Sequence, residues 1–212
     1  MWTRIAAGVA VLALIGVAAF LLLGDGGSIL PNGDGDEGPT GFSFTLGRVR
    51  AAPISQRKPE QLQDEADEAA DAVKATMDQL YFDAYVDEGA WGSYEDAITL
   101  FLGPAADVAN DDLDSLTLGT SAPQEYEGLL DPAGVLQVVV LTNAKDVAIS
   151  AVARVNFHAD TELAGGGATR ITSKGAFFLR PASDGWRIFA YRIDRDEEEA
   201  AASPTPSGEA TP

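Results

Sequence analysis

The sequence predicts an α+β fold: an N-terminal transmembrane helix, then helices packed on a curved antiparallel sheet. Three observations carry this expectation. An uncharged apolar run opens the chain, helical periodicity follows a Gly/Asp/Pro-rich segment, and the last third alternates with the period of strands.

From Ile5 to Gly24 the chain reads IAAGVAVLALIGVAAFLLLG, without a charge. At 1.5 Å per residue such a run matches the ~30 Å hydrocarbon core of a bilayer. A cleaved signal peptide has a shorter apolar core followed by a small-x-small site, whereas here the triplet Gly16-Val17-Ala18 lies inside the run. A transmembrane helix is therefore expected over residues 4–24. Arg4 stands on its N-terminal side and Asp25, Asp34, Asp36 and Glu37 follow it, so residues 1–3 are expected in the cytoplasm and the rest outside.

Composition bounds what the outer part can do. With 212 residues, 46% of them apolar, there is material for one ordinary core. The net charge of −19 repels the phosphate backbone, which leaves no nucleic-acid partner expected. The absence of cysteine excludes disulfides, thiolate metal sites, cysteine nucleophiles and a lipid-modified N-terminal cysteine. No Asn-x-Ser/Thr acceptor occurs.

Residues 25–57 read as a Gly/Asp/Pro-rich linker containing a short strand in which Phe42, Phe44 and Leu46 alternate with Ser43 and Thr45, lying on the domain surface. Pro59 and Glu60 open a long helix. Its apolar stripe is Ala66, Ala69, Ala70, Val73, Met77, Leu80, Tyr81 and Ala84, and Asp64, Asp67, Glu68, Asp71 and Asp78 form a solvated face. Gly89 ends this helix. Ser93-x-x-Asp96 resembles a capping box for a second one running to Leu102, which Gly103-Pro104 ends, and Ala105–Leu113 suggests a third.

Strands follow. Val135–Thr142 and Val147–His158 form a hairpin across Asn143–Asp146, with Val147, Ile149, Ala151, Ala153, Val155 and Phe157 on the core face. Ala164–Ala168 leads to Thr169–Arg180, and Ala182–Gly185 turns into Trp186–Asp194. In this last strand Trp186, Ile188 and Ala190 alternate with Phe189, Tyr191 and Ile193, so a second apolar face needs a cover, either the Phe42–Leu46 segment or a second subunit. Residues 197–212, EEEAAASPTPSGEATP, are expected to be a disordered acidic tail.

Tyr81-Phe82-Asp83-Ala84-Tyr85 at the end of the long helix, Gly89-Ala90-Trp91 after it, and the closing strand Gly185-Trp186-Arg187-Ile188-Phe189-Ala190-Tyr191 resemble the NTF2-like superfamily, the cone shared by SnoaL-like proteins and ketosteroid isomerases. The resemblance covers residues 58–196. In joining one membrane helix to such a domain the chain is similar to the Mce-associated proteins of actinobacterial envelopes. The superfamily holds enzymes, ligand binders and assembly modules, so activity must be argued from the site.

The resemblance implies a cone interior for which Tyr81, Asp83, Tyr85, Trp91, Phe101 and Phe157 are the cavity candidates. An exposed helix end is the expected environment of Asp83, and core packing that of Trp91 and Phe101. His158, the single histidine, alternates with Phe157 onto the outer face unless a bulge reverses it. The Asp-rich stretches beginning at Asn32 and Asn110 lack the bidentate Glu of a calcium loop, with Ser43 and Ser121 in its place, and Gly165–Gly167 lacks the Lys of a phosphate loop. No catalytic residue, cofactor or metal is assigned. The sequence favours a single-pass membrane-anchored, extracytoplasmic, non-enzymatic interaction or accessory module, with a second copy or an envelope protein on its sheet face. The alternative is a small-molecule binder or a SnoaL/ketosteroid-isomerase-like enzyme using the cone interior.

Overall fold

The computed structural model describes residues 41–199. The helix expected over 4–24, linker residues 25–40, and the tail from residue 200 onward lie outside the described residues. Among the described residues no helix is long and apolar enough to cross a membrane.

An α+β arrangement is built around one long helix. After a single turn at Pro59–Leu62, α1 spans Gln63–Tyr81 and buries Ala66, Ala69, Ala70, Val73, Met77, Leu80 and Tyr81, spaced three and four residues apart so that they share one side. A wider turn, Phe82–Val86, keeps Ala84 and Tyr85 buried before the chain leaves the axis. Four short helices follow: α2 (Glu95–Thr99), α3 (Gly103–Asp111), α4 (Leu113–Leu116) and α5 (Ala122–Glu125). Tyr94, in left-handed conformation, precedes α2, and Ser93 bonds the Ala90 carbonyl instead of capping it. This helix stops at Thr99, short of the expected Leu102. The next residues are drawn into strand-like pairing, Ile188 N–H donating to Leu100 O and Leu102 N–H to Ile188 O. Gly103-Pro104 therefore opens α3 rather than ending α2, a position where proline's missing N–H costs nothing.

The sheet has five strands in sequence order: β1 (Thr45–Pro53), β2 (Tyr126–Thr142), β3 (Ala148–Leu163), β4 (Ala168–Ala182) and β5 (Gly185–Glu199). β2 to β5 form an antiparallel meander, whereas β1 lies parallel to β2, with Thr45 opposite Val135 and Pro53 opposite Thr142. The expected all-antiparallel sheet is thus a mixed one. Parallel neighbours need a crossover between them, and α1 with its successors supplies it. The linker strand is also longer than expected and belongs to the sheet's edge. At the other end, Glu197, Glu198 and Glu199 continue β5 rather than starting a tail.

Phe42 and Phe44 lie in the core and not on the surface. The Phe44 ring fills the space a side chain would occupy at Gly134, where an added Cβ would stand 2.5 Å from it. Asp78 fixes this segment to α1. Its carboxylate accepts from Phe44 N–H at 2.8 Å, Ser43 Oγ at 2.8 Å and Lys74 Nζ at 2.7 Å, so one acid of the supposed solvated face is a structural clamp. Val147 and Ile149, expected on the core face, are exposed because the register slips between Leu141 and Thr142 and carries Ile149 out of the pairing.

A second irregularity reshapes β5. The register shifts between Phe178 and Leu179, which face Ala190 and Ile188, leaving Phe189 without a partner residue. Beyond this bulge the sides exchange. Trp186, Ile188, Tyr191 and Ile193 all pack on the core, while Phe189 stands beside Phe178 with ring centroids 6.4 Å apart. The expected strict alternation does not hold, and neither the Phe42–Leu46 segment nor a second subunit is needed to cover Tyr191 and Ile193.

Asp78→Ala removes the acceptor for the partly buried Phe44 N–H. A loss of about 2 kcal/mol is expected from an unmade bond to a charged group, read as a lower midpoint in denaturant unfolding, with Asp71→Ala on the exposed side of α1 near zero.

Candidate functional site

Between α1 and the sheet the interior is occupied by rings. Tyr81 stacks on Tyr85 at 5.3 Å and packs against Phe44 at 4.9 Å and Phe157 at 5.1 Å; Tyr85 meets Phe157 at 4.9 Å, and Phe42 closes on Phe157 at 5.6 Å. These distances are those of direct aromatic contact. The sequence candidates Tyr81, Tyr85 and Phe157 are therefore brought together as packing partners.

The remaining candidates are dispersed. Trp91 packs against Tyr126 and donates its indole N–H to the Tyr85 carbonyl at 2.9 Å. Phe101 lies on Tyr191 at 5.6 Å. Asp83 is buried, at 5% exposure, contrary to the expected exposed helix end. Its polar neighbours are not the stacked rings: Gln79 Nε2 donates to it at 2.7 Å, and Asp96 and Asp87 are the acids that act on it. Burial raises its pKa, with those two carboxylates adding and the Gln79 bond opposing. His158 is exposed on the outer face of β3.

A polar cluster, buried at Tyr81, Tyr85 and Ser173 and opening to solvent at Arg195 and Glu197, escaped the sequence. Tyr81 Oη and Ser173 Oγ are 2.9 Å apart. Arg195 donates to the Asp114 carbonyl at 2.8 Å, to the Thr117 carbonyl at 2.5 Å and to Glu197, which also accepts from Tyr126 Oη at 2.7 Å. Burial raises the Glu197 carboxyl, but the Tyr126 hydroxyl and Arg195 outweigh it and hold the group below its ordinary value. Arg195 and Glu197 reach the helix side of β5 through the Phe189 bulge, which alternation alone cannot place. Tyr85 Oη, fully buried, makes no hydrogen bond among the described residues. Burial pushes its pKa up to about 12, with the nearby Ser173 hydroxyl and Arg195 only partly opposing, so the phenol is neutral at physiological pH. Ser173 lowers that pKa as a polar neighbour, yet its contact lacks hydrogen-bond geometry and its bond is made with Tyr81.

The outer face of the sheet has a different character. Strand pairing aligns Arg50, Val139, Val152, Phe178 and Ala190 in one transverse row, and Gln137, Arg154, Ala176 and Arg192 in the next. Arg50, Arg154, Lys174, Arg180 and Arg192 are exposed. Of these, Arg50, Lys174, Arg180 and Arg192 make no ion pair within 4.0 Å among the described residues. Farther along the same strands the face turns acidic: Asp194 opposes Lys174, Asp196 opposes Thr172, and Glu198 opposes Arg170, which is bound by Asp160 at 2.7 Å.

No family model matches the chain, and no curated protein or solved structure matches it. Among the described residues no group of three or more His, Asp or Glu side chains is placed to hold a metal ion.

Two stability measurements probe the buried groups. With its folded pKa raised above the unfolded value, Asp83 holds its proton more tightly in the folded state, so stability falls as pH rises through that interval and the ionised group is a cost at neutral pH. Asp83→Asn is expected to raise the thermal midpoint at pH 7 and to match wild type below about pH 4. Tyr85→Phe removes a buried hydroxyl with no partner, and is expected to leave the midpoint unchanged or higher, while Tyr81→Phe lowers it by orphaning Ser173.

Proposed function

We propose that residues 41–199 form a non-enzymatic interaction module, held outside the cytoplasm by the apolar segment over 4–24, with the outer face of the sheet as its contact surface. The observation that carries this is the ring stack. Tyr81, Tyr85, Phe157, Phe42 and Phe44 occupy the interior in which an NTF2-like enzyme would bind its substrate. Asp83, another of the cavity candidates, has Gln79, Asp96 and Asp87 as its polar neighbours and none of these rings. Tyr81 and Tyr85 are held neutral by burial, which removes them as bases at physiological pH.

Kinship with the NTF2-like assembly modules is part of the same proposal, supported by one long helix lying over a four-strand antiparallel meander. The outer face supports it independently. Phe178 and Phe189 are half-buried beside exposed arginines, a mixture that suits a contact with a polar rim.

Site-specific crosslinking in the full-length chain tests the assignment. A benzophenone amino acid in place of Ala176, on the outer face, is expected to give a discrete protein adduct in the native membrane, and the same group in place of Asp71, on the exposed side of α1, is expected to give none. Silence at position 176 together with an adduct at 71 would transfer the contact to the helices and sink the proposal.

A further inference from the structure

We infer that the half of the outer face nearest the β2–β3 turn docks an acidic polypeptide segment of a partner protein; the inference rests on the outer face being the contact surface. The chain carries −19 overall, yet the strand rows of this half-face gather Arg50, Arg154, Arg180 and Arg192 with no acid in the same rows, and the turn acids at this end, Asp146 and Asp184, are bound by Arg57 and Arg187. Adjacent rows are two residues apart along the strands, roughly 7 Å. The nearest acid on the face, Asp194, is one row from Arg192, roughly 7 Å, and is set against Lys174 on the neighbouring strand, whereas Asp196 is about 14 Å away, beyond the ~8 Å screening length at physiological salt. The basic half therefore presents its own field to anything that touches it, while the acids elsewhere keep acidic partners off the remaining surface.

The apolar part fits a polypeptide better than a bilayer. Val139 and Val152 are 8% and 3% exposed, and Phe178 and Phe189 are half-buried, so this row offers a floor for a side chain to cover and nothing that projects into hydrocarbon. A planar anionic bilayer laid along the face would also meet Asp194, Asp196 and Glu198 at the other end of β5. A segment of limited length covers the basic half alone. Five strands at ~4.8 Å and three rows at ~7 Å give roughly 500 Å², below the ~800 Å² that one side of an ordinary stable interface buries. The contact is accordingly a transient one, governed by charge and weakened by salt.

The experiment uses the full-length protein in neutral phosphatidylcholine nanodiscs with fluorescein-labelled poly-L-glutamate as the probe. Binding is expected at about 50 mM salt, with affinity falling roughly tenfold by about 200 mM. The double reversal Arg50→Glu with Arg192→Glu is expected to weaken it at least tenfold, at an unchanged thermal midpoint because both side chains are exposed and unpaired. Arg170→Glu, at the acidic end, is expected to leave the affinity as it was. Unchanged affinity in the double variant overturns the inference. So does binding of phosphatidylglycerol vesicles through the same arginines with polyglutamate ignored, which makes the occupant a lipid surface. Salt-sensitive self-association in sedimentation, lost in the double variant while polyglutamate does not bind, makes it a second copy. Each of these results leaves the outer face as the contact surface. Silence of the crosslinker at position 176 with an adduct at position 71 removes that surface itself.

Discussion

The seating of Phe44 is the contact on which the rest of the domain depends. Its ring lies over Gly134 on β2, against Tyr81 on α1, and beside Phe42, so one side chain joins the edge strand, the helix and the sheet. Asp78 fixes the backbone at the same residue, which converts a general apolar attraction into a defined position. With Phe44 in place the remaining rings have fixed neighbours, and the interior is a packed layer. A glycine on one strand and an aspartate on the helix are what make this possible, and neither belongs to the hydrophobic stripe of its own element.

The bulge at Phe189 has a comparable reach. By exchanging the two sides of β5 it brings Tyr191 under α3 and α4, where its hydroxyl bonds Asp112 at 3.2 Å, and it aims Arg195 at the Asp114 and Thr117 carbonyls. The same slip leaves Phe189 and Ala190 together outside. One extra residue therefore both closes the core beneath the short helices and creates the aromatic floor of the basic half-face.

Much of the fold was legible because it rests on periodicity. The apolar stripe of α1 and the two late hairpins are read from spacings of three, four and two residues, and the structure buries the stripe as written. What was not legible depends on partners far away in sequence. Parallel pairing of β1, the burial of Phe42 and the clamp by Asp78 each require knowing that residues 42–53 return to β2 and α1. The bulges at Ile149 and Phe189 break alternation without a glycine or proline to announce them. For the candidate site, Tyr81 and Phe157 stand on apolar faces that periodicity reveals and Tyr85 entered with the family resemblance, whereas Arg195 and Glu197 stood in a run of charges that reads as solvated strand and tail.

The parallel edge strand also sets the order of events during synthesis. Thr45 meets Val135, about ninety residues later, so β1 cannot be placed until β2 has been made. At ribosomal rates of ~5–20 residues per second, that interval is on the order of ten seconds. During it Phe42, Phe44 and the helix stripe have no sheet to cover them, and contacts of such long separation form slowly even once both ends exist. Nascent chains of this protein are thus at their most adhesive midway through translation, and the acids of α1 that the finished fold leaves exposed, Asp64, Asp67, Glu68 and Asp71, give that half-made chain a charge that opposes association.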